Sequence, residues 1–271
     1  MKLKLPHLEA SKPAEEKLPV QRFKAVIAYD GTSYSGWQFQ SNAIAVQQVV
    51  EDALKWLEGA PVRINGSSRT DAGVHAKGFV GHFDMTKPIP AEKIARAMNS
   101  RLPESVRFMK VTKVKPDFNA RLDAYGKEYR YQIYQAPIMP PHLVPYWTYC
   151  HKPLDLKAMQ EGAKYFEGKN DFRSFAATPP DKPLNNTVRN VYSCKVKKSG
   201  PKYTIIVRGD GFLYKQVRSM AGFLISVGKG TEKPEAVKEL LEHPIPRTAR
   251  VETAPARGLF LWKVFYSPIK K

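Results

Sequence analysis

The sequence predicts an α+β fold of two α/β subdomains, residues 22–122 and 123–271, behind a leader over residues 1–21 that is expected to be disordered. Three observations predict it. Strand-like alternation and helix-like spacing of apolar residues follow one another, so the first half reads strand, helix, strand, strand, helix, strand. Near residue 124 the scheme restarts, with similar element order but no sequence repeat. At 271 residues and 42% hydrophobic, the chain exceeds the usual size of a single core. It can bury roughly three quarters of its extended surface, enough for one large or two moderate units.

The elements follow in order. Residues 22–29 (RFKAVIAY) alternate as a strand does, and Asp30-Gly31 marks a turn. Val46, Val49, Val50, Ala53, Leu54 and Leu57 form the stripe of an amphipathic helix over 44–58, which Gly59 and Pro61 end. Strands at 62–65 and 78–83 bracket residues 67–76, whose Ser, Thr, Asp and Gly read as a structured loop. A helix over 91–101 carries Ile94, Ala97, Met98 and Leu102 on one side, and a strand at 106–114 follows. The second half opens on a strand at 124–134 with Tyr125, Tyr129, Tyr131 and Ile133 on one face. Past a proline-rich connection comes a helix over 155–166, with Asp155 as its N-cap and Gly168 as its stop. Strands at 191–197 and 203–209, helices at 212–227 and 235–242 and a strand at 259–266 complete the chain.

Charge narrows the function classes. Forty-four Lys plus Arg against twenty-five Asp plus Glu leave +19, an excess that repels itself unless a polyanion or counterions neutralise it. Nucleic acid is the natural partner, with a merely basic protein or one held to an anionic membrane surface as the alternatives. Cys150 and Cys194 are too few for a disulfide framework and too far apart for a CxxC motif, so reduced thiols are expected. Residues 1–19 lack the apolar core of a secretory signal, and no apolar run approaches the roughly 20 residues that span a bilayer. A cytoplasmic location follows by default.

The loop Ser67-Ser68-Arg69-Thr70-Asp71-Ala72-Gly73-Val74-His75-Ala76 carries the chemistry. Its last eight residues, RTDAGVHA, resemble the active-site motif of the tRNA pseudouridine synthase A family. The resemblance runs from about residue 22 to near the end: YDGTSYSGWQ (29–38), VQQVVEDAL (46–54), KEYRYQIY (127–134), NDFRSF (170–175), VRNV (188–191) and GFLYKQVRSMAG (211–222) are similar to segments in the same order in that family. It implies the pseudouridine synthase fold: two largely antiparallel sheets joined edge to edge into one mixed sheet, helices on one side, and a central basic cleft on the other. It also implies isomerisation of uridines 38, 39 and 40 in the anticodon stem-loop of tRNA, and a homodimer that lets one tRNA touch both subunits.

Conversion of uridine to pseudouridine breaks the C1′–N1 bond, turns the base and rejoins it through C5, with no redox change, so neither cofactor nor metal is needed. A carboxylate serves either as nucleophile at the sugar or as a stabiliser of positive charge while the base detaches. Both roles need it ionised, and a neighbouring guanidinium, Arg69 or Arg218, would favour that form. The resemblance assigns catalysis to Asp71, a salt bridge with Asp71 to Arg218, and stacking on the uracil, with proton abstraction as a further role, to Tyr129. Stacking is how an extruded base is commonly held. Arg69 would fill the space of the flipped nucleotide or contact its phosphate. Two departures, Ser68 where the family often has Gly and Ser219 where it often has Asn, bear on fine positioning more than on the reaction.

Taken singly, each residue has a plainer reading. An Asp in a Gly-containing turn is usually a cap, a Tyr on an alternating strand usually core, and an Arg on a helix usually surface. Trp37, Trp56, Trp147 and Trp262 read as packing residues, and His75 and His82 as structural or substrate-lining, because their spacing fits no metal-ligand pattern. Lys195, Lys197 and Lys198, and Arg247, Arg250 and Arg257, are candidates for phosphate contacts. The rivals are an RNA chaperone that has lost catalysis, against which intact Asp71, Tyr129 and Arg218 speak, and a metal-dependent nuclease, for which the carboxylate cluster is missing around Asp71. A related synthase acting on other RNA is the nearest runner-up.

Overall fold

The computed structural model describes residues 19–179 and 183–269, so the expected leader lies outside the described residues except for 19–21, and Gln21 already opens the first strand. In chain order the elements are β1 (Gln21–Tyr29), α1 (Val46–Glu58), β2 (Asn65–Gly66), β3 (His75–Met85), α2 (Ala91–Arg101), β4 (Val106–Lys113), β5 (Gly126–Gln135), β6 (Thr148–Cys150), α3 (Leu156–Tyr165), β7 (Gly168–Asp171), β8 (Val188–Ser199), β9 (Lys202–Gly209), α4 (Gln216–Gly228), α5 (Ala236–Glu242) and β10 (Leu259–Phe265). The strands form a single sheet in the order β4-β1-β3-β10-β5-β9-β8-β7, with β2 beside β3 and β6 beside β5. Pairing is antiparallel except where β10 meets β3 and β6 meets β5. The last strand of the chain thus sits in the middle, between the strands of the first half and those of the second.

Alternation sets the two faces of this sheet. Phe23, Ala25, Ile27 and Tyr29 of β1 share one face with Phe79 and Phe83 of β3. Leu259 and Leu261 of β10, Tyr129 and Tyr131 of β5 and Ile205 and Val207 of β9 continue it, and all of these are buried. Onto that face α1 places Val46, Val50, Ala53 and Leu54, and α4 places most of its length. Burial of each such side chain contributes about 1.5–3 kcal/mol before the cost of ordering it. The opposite face carries Arg22, Lys24, Glu128, Arg130 and Arg208; on it, Arg22, Glu128, Arg130 and Arg208 are held by ion pairs instead of by helices.

Several local expectations change in the folded chain. Pairing within 62–65 is confined to its last residue, and the strand expected at 78–83 starts earlier, so that His75 and Ala76 belong to β3 and not to the loop. The helix expected from residue 212 begins at Gln216, because Lys215 takes a left-handed φ of 58° that a helix cannot continue through. Gly168 ends the turn after α3 as expected but also opens β7, which, like the three-residue β6, is too short for alternation to announce. Trp56, expected to pack, is 55% exposed. Asp155 caps α3 as expected, accepting from the Lys157 and Ala158 N–H groups. No helix among the described residues is long and apolar enough to cross a membrane.

Candidate active site

The loop between β2 and β3 is clamped from below by the turn that follows β1. The Trp37 N–H donates to the Thr70 carbonyl at 3.2 Å, and the Gly73 N–H to the Tyr34 carbonyl at 3.2 Å. The Tyr29 and Thr70 hydroxyls meet at 2.9 Å in a buried bond. Gly36 makes this docking possible: its φ is +91°, and a Cβ there would overlap the Thr70 carbonyl oxygen. Trp37, stacked on Phe79 at 3.8 Å, sits directly behind the loop and supports it. With Val74 N–H bonded back to the Asp71 carbonyl, the backbone of Asp71 is fixed on both sides.

Onto Asp71 comes an arginine from the other half of the chain. Arg218, in the first turn of α4, donates Nη1 to Asp71 Oδ2 at 2.8 Å and Nε to the Ala254 carbonyl at 2.8 Å. The segment carrying Ala254 lies close against α4 because Gly222 has no side chain; a Cβ there would overlap the Glu252 carbonyl oxygen. Ala254 N–H returns a bond to the Arg218 carbonyl, and Ser219 faces the Thr253 hydroxyl at 3.4 Å. Both ends of the guanidinium are therefore positioned, one by backbone and one by the carboxylate.

Tyr129 of β5 completes the group. Its ring is buried and meets Phe212 edge-on at 5.3 Å. Burial pushes its hydroxyl up to about 12, the nearby charge of Asp71 acts in the same direction, and Ser68 opposes both. The Ser68 hydroxyl comes near without meeting the geometry of a formed hydrogen bond, and its oxygen is buried without a partner. A protonated phenol and a carboxylate tied to one guanidinium thus lie close together.

On the opposite face His75 braces the same loop. Its Nδ1 accepts from the Gly31 N–H and its Nε2 therefore donates to the Pro145 carbonyl, each at 3.0 Å. Its ring stacks on Phe260 at 4.6 Å. Burial holds its pKa below the ordinary histidine value, with Asp30 pulling the other way, so the neutral tautomer of this bonding pattern persists. His82 accepts the Ala120 N–H at 3.1 Å and lies edge-on to Phe118. Among the described residues no group of three or more His, Cys, Asp or Glu is placed to hold a metal ion.

Fold and sequence reading differ on three points of the site. Tyr129 shares the helix-bearing face with Tyr131 and Leu261, so Tyr129 and the Asp71–Arg218 pair lie on that face and not on the side away from the helices. Arg250 is engaged by Glu232 through two bonds of 2.9 Å and has little left for a phosphate. Lys198 lies over the Tyr203 ring, on the other face from Lys195 and Lys197, so those three lysines do not form one patch. Arg69 is exposed two residues before Asp71. Sequence reasoning left Trp37, Gly36 and Gly222 without a site role; the pairing of a glycine with Trp37 just before a helix was the available signal.

A sequence profile described as tRNA pseudouridine synthase matches residues 25–123 and 163–267. The tRNA pseudouridine synthase A of Brevibacillus brevis is 40% identical over 247 residues, covering 91% of this chain and 100% of that protein. That of Pelobacter propionicus is 41% identical over 247 residues with the same coverage, and that of Exiguobacterium sibiricum 39% over 256 residues, covering 93% and 99%.

Proposed function

Because this chain belongs to the tRNA pseudouridine synthase family, it is a tRNA-modifying isomerase, and we propose that it isomerises uridines 38, 39 and 40 of the anticodon stem-loop through Asp71. The observation that carries the reading is the bond between Asp71 and Arg218 beside the Tyr129 ring. Arg218 orients the carboxylate and stabilises its negative charge, while Tyr129 offers its ring to the extruded uracil. As the C1′–N1 bond breaks, Asp71 either bonds to C1′ or faces the cationic sugar; the base turns, C5 bonds to C1′, and the C5 proton leaves while N1 acquires one. On the covalent path the carboxylate becomes a neutral ester. That ester is displaced as C5 bonds to C1′, so the carboxylate is restored before C5 loses its proton.

The resemblance also assigns Arg69 to the vacated nucleotide space or its phosphate and a homodimer to the assembly, and the cytoplasm is the location expected by default. Tritium release from tRNA labelled at uracil C5, followed by mapping of the product, tests the reading. Release by the parent protein and none by Asp71→Ala, with product at 38, 39 and 40, is expected; release that survives Asp71→Ala overturns the assignment, and product elsewhere in tRNA overturns the positions.

A further inference from the structure

Outside the Asp71 site the described residues form a cavity whose charged lining is wholly basic. It has a volume of about 490 Å³ and lies beside the start of α4, with Arg173, Lys215 and Arg247 around it and Thr178, Tyr214 and Leu184 completing the wall. No acidic side chain among the described residues lines it. Arg22, Arg63, Arg130, Arg208, Arg218 and Arg250 are each paired with a carboxylate. Among the described residues none of the three cations of the cavity has such a partner. Arg247 donates only to the Val251 carbonyl and the Thr253 hydroxyl, and Lys215 lies over the Tyr214 ring at 4.9 Å. Three like charges around a common space are a standing repulsion that an anionic guest relieves.

The cavity is also tied to the reacting centre. Thr253, held by Arg247, precedes Ala254, which exchanges two bonds with Arg218. Lys215 stands three residues before Arg218 on the same chain, in a left-handed conformation that a non-glycine residue rarely adopts. Its ammonium is thereby turned out of the helix and toward the cavity wall. An anion seated there would be one residue of strap away from the arginine that orients Asp71.

We propose that this cavity receives a backbone phosphate of the substrate RNA next to the target uridine, held by Arg173, Lys215 and Arg247, and so fixes the register in which the uridine reaches Asp71. The proposal rests on tRNA being the substrate. A phosphodiester suits the site better than a base edge: the three donors are cationic and convergent, and interactions of this kind position a nucleic acid without reading its sequence.

The test compares tRNA affinity across a salt series with turnover at saturating tRNA, for the intact chain and for the double variant Arg173→Gln with Lys215→Gly. Glycine is native to the left-handed region, so the second change removes charge while relieving strain and keeps the fold. Lys110→Ala with Lys113→Ala, which removes two exposed lysines from β4, serves as the control for net charge. At 0.1 M salt the cavity variant should bind tRNA roughly 10-fold or more weakly, its slope of log affinity on log salt should fall by about 0.7–0.9 for each phosphate it no longer neutralises, and kcat should fall as the register of the uridine slips. A cavity variant that matches the control in both affinity and slope overturns the proposal. So does a site that takes inorganic phosphate, abolished in the cavity variant, while tRNA affinity is unchanged, since that cavity would serve free phosphate. Because binding is read without turnover, failure here is distinct from failure to isomerise uridine, which tritium release by the intact chain reports.

Discussion

Two carboxylates sit on opposite faces of the same sheet, and each is met by arginine, yet they are built for different work. Glu128 of β5 is almost wholly buried and takes Arg130 Nε on one oxygen and Arg208 Nε on the other, both at 2.7 Å. Arg130 in turn lies over the Trp262 ring at 3.9 Å. Asp71 is 20% exposed and takes Arg218 at 2.8 Å on Oδ2. Burial would raise the pKa of Glu128, but its two arginines together outweigh that and hold it below the usual carboxylate value. The difference teaches what separates a saturated ion pair from one with carboxylate capacity to spare. The first carboxylate is buried and takes an arginine on each oxygen; the second is partly exposed and is held by one partner.

The sharpest way to break the comparison is to remove each charge in turn. Asp71→Asn should lower kcat by at least about 10³-fold while tRNA affinity stays within about threefold, because the cationic groups that hold the RNA lie elsewhere. Retention of turnover in this variant would sink the role of Asp71. Tyr129→Phe keeps the ring and removes the hydroxyl, so single-turnover rates should fall by about 10²–10³-fold with binding intact. An equal loss of rate and affinity would instead make the hydroxyl a binding group.

Arg218→Lys retains charge but cannot serve both Asp71 and the Ala254 carbonyl from one planar fork. A fall in kcat of about 10²-fold, with little change in unfolding temperature, is expected. Glu128→Gln is the smallest case. Activity should hold within about twofold, and stability should drop by about 1 kcal/mol, the low end for a buried pair because both arginines reach water. The sign with pH follows from the depressed Glu128: its contribution is fully present above the unfolded glutamate value of about 4.3 and is lost as pH falls through the lower folded value. Melting curves of the two proteins should therefore differ at neutral pH and converge as pH falls below the depressed folded value of Glu128.

Much of this was legible in the residues alone. Period-two alternation over 22–29 and the apolar stripe of 46–57 are local signals, and β1 and α1 form where those signals lie, with Gly59 at φ 83° closing the helix as expected. The RTDAGVHA and VRSMAG segments pointed to Asp71 and Arg218, which lie 147 residues apart in sequence and are bonded in the fold. Other features left no local mark. The three residues of β6 and the four of β7 are too few to show a period, and Lys215 delays the start of α4 through a backbone angle that no neighbouring residue announces.

Propensity, charge excess and motif are properties of neighbouring residues, so the sequence by itself determined the helices and longer strands, the basic character and the family. Which face of the sheet bears the site was decided only when β10 entered between β3 and β5 and α4 brought Arg218 over Tyr129. The same holds for which arginines are spent on carboxylates and which ring a cavity. Those outcomes depend on interactions between segments far apart in the chain, whose energies exist only once the whole sheet is closed.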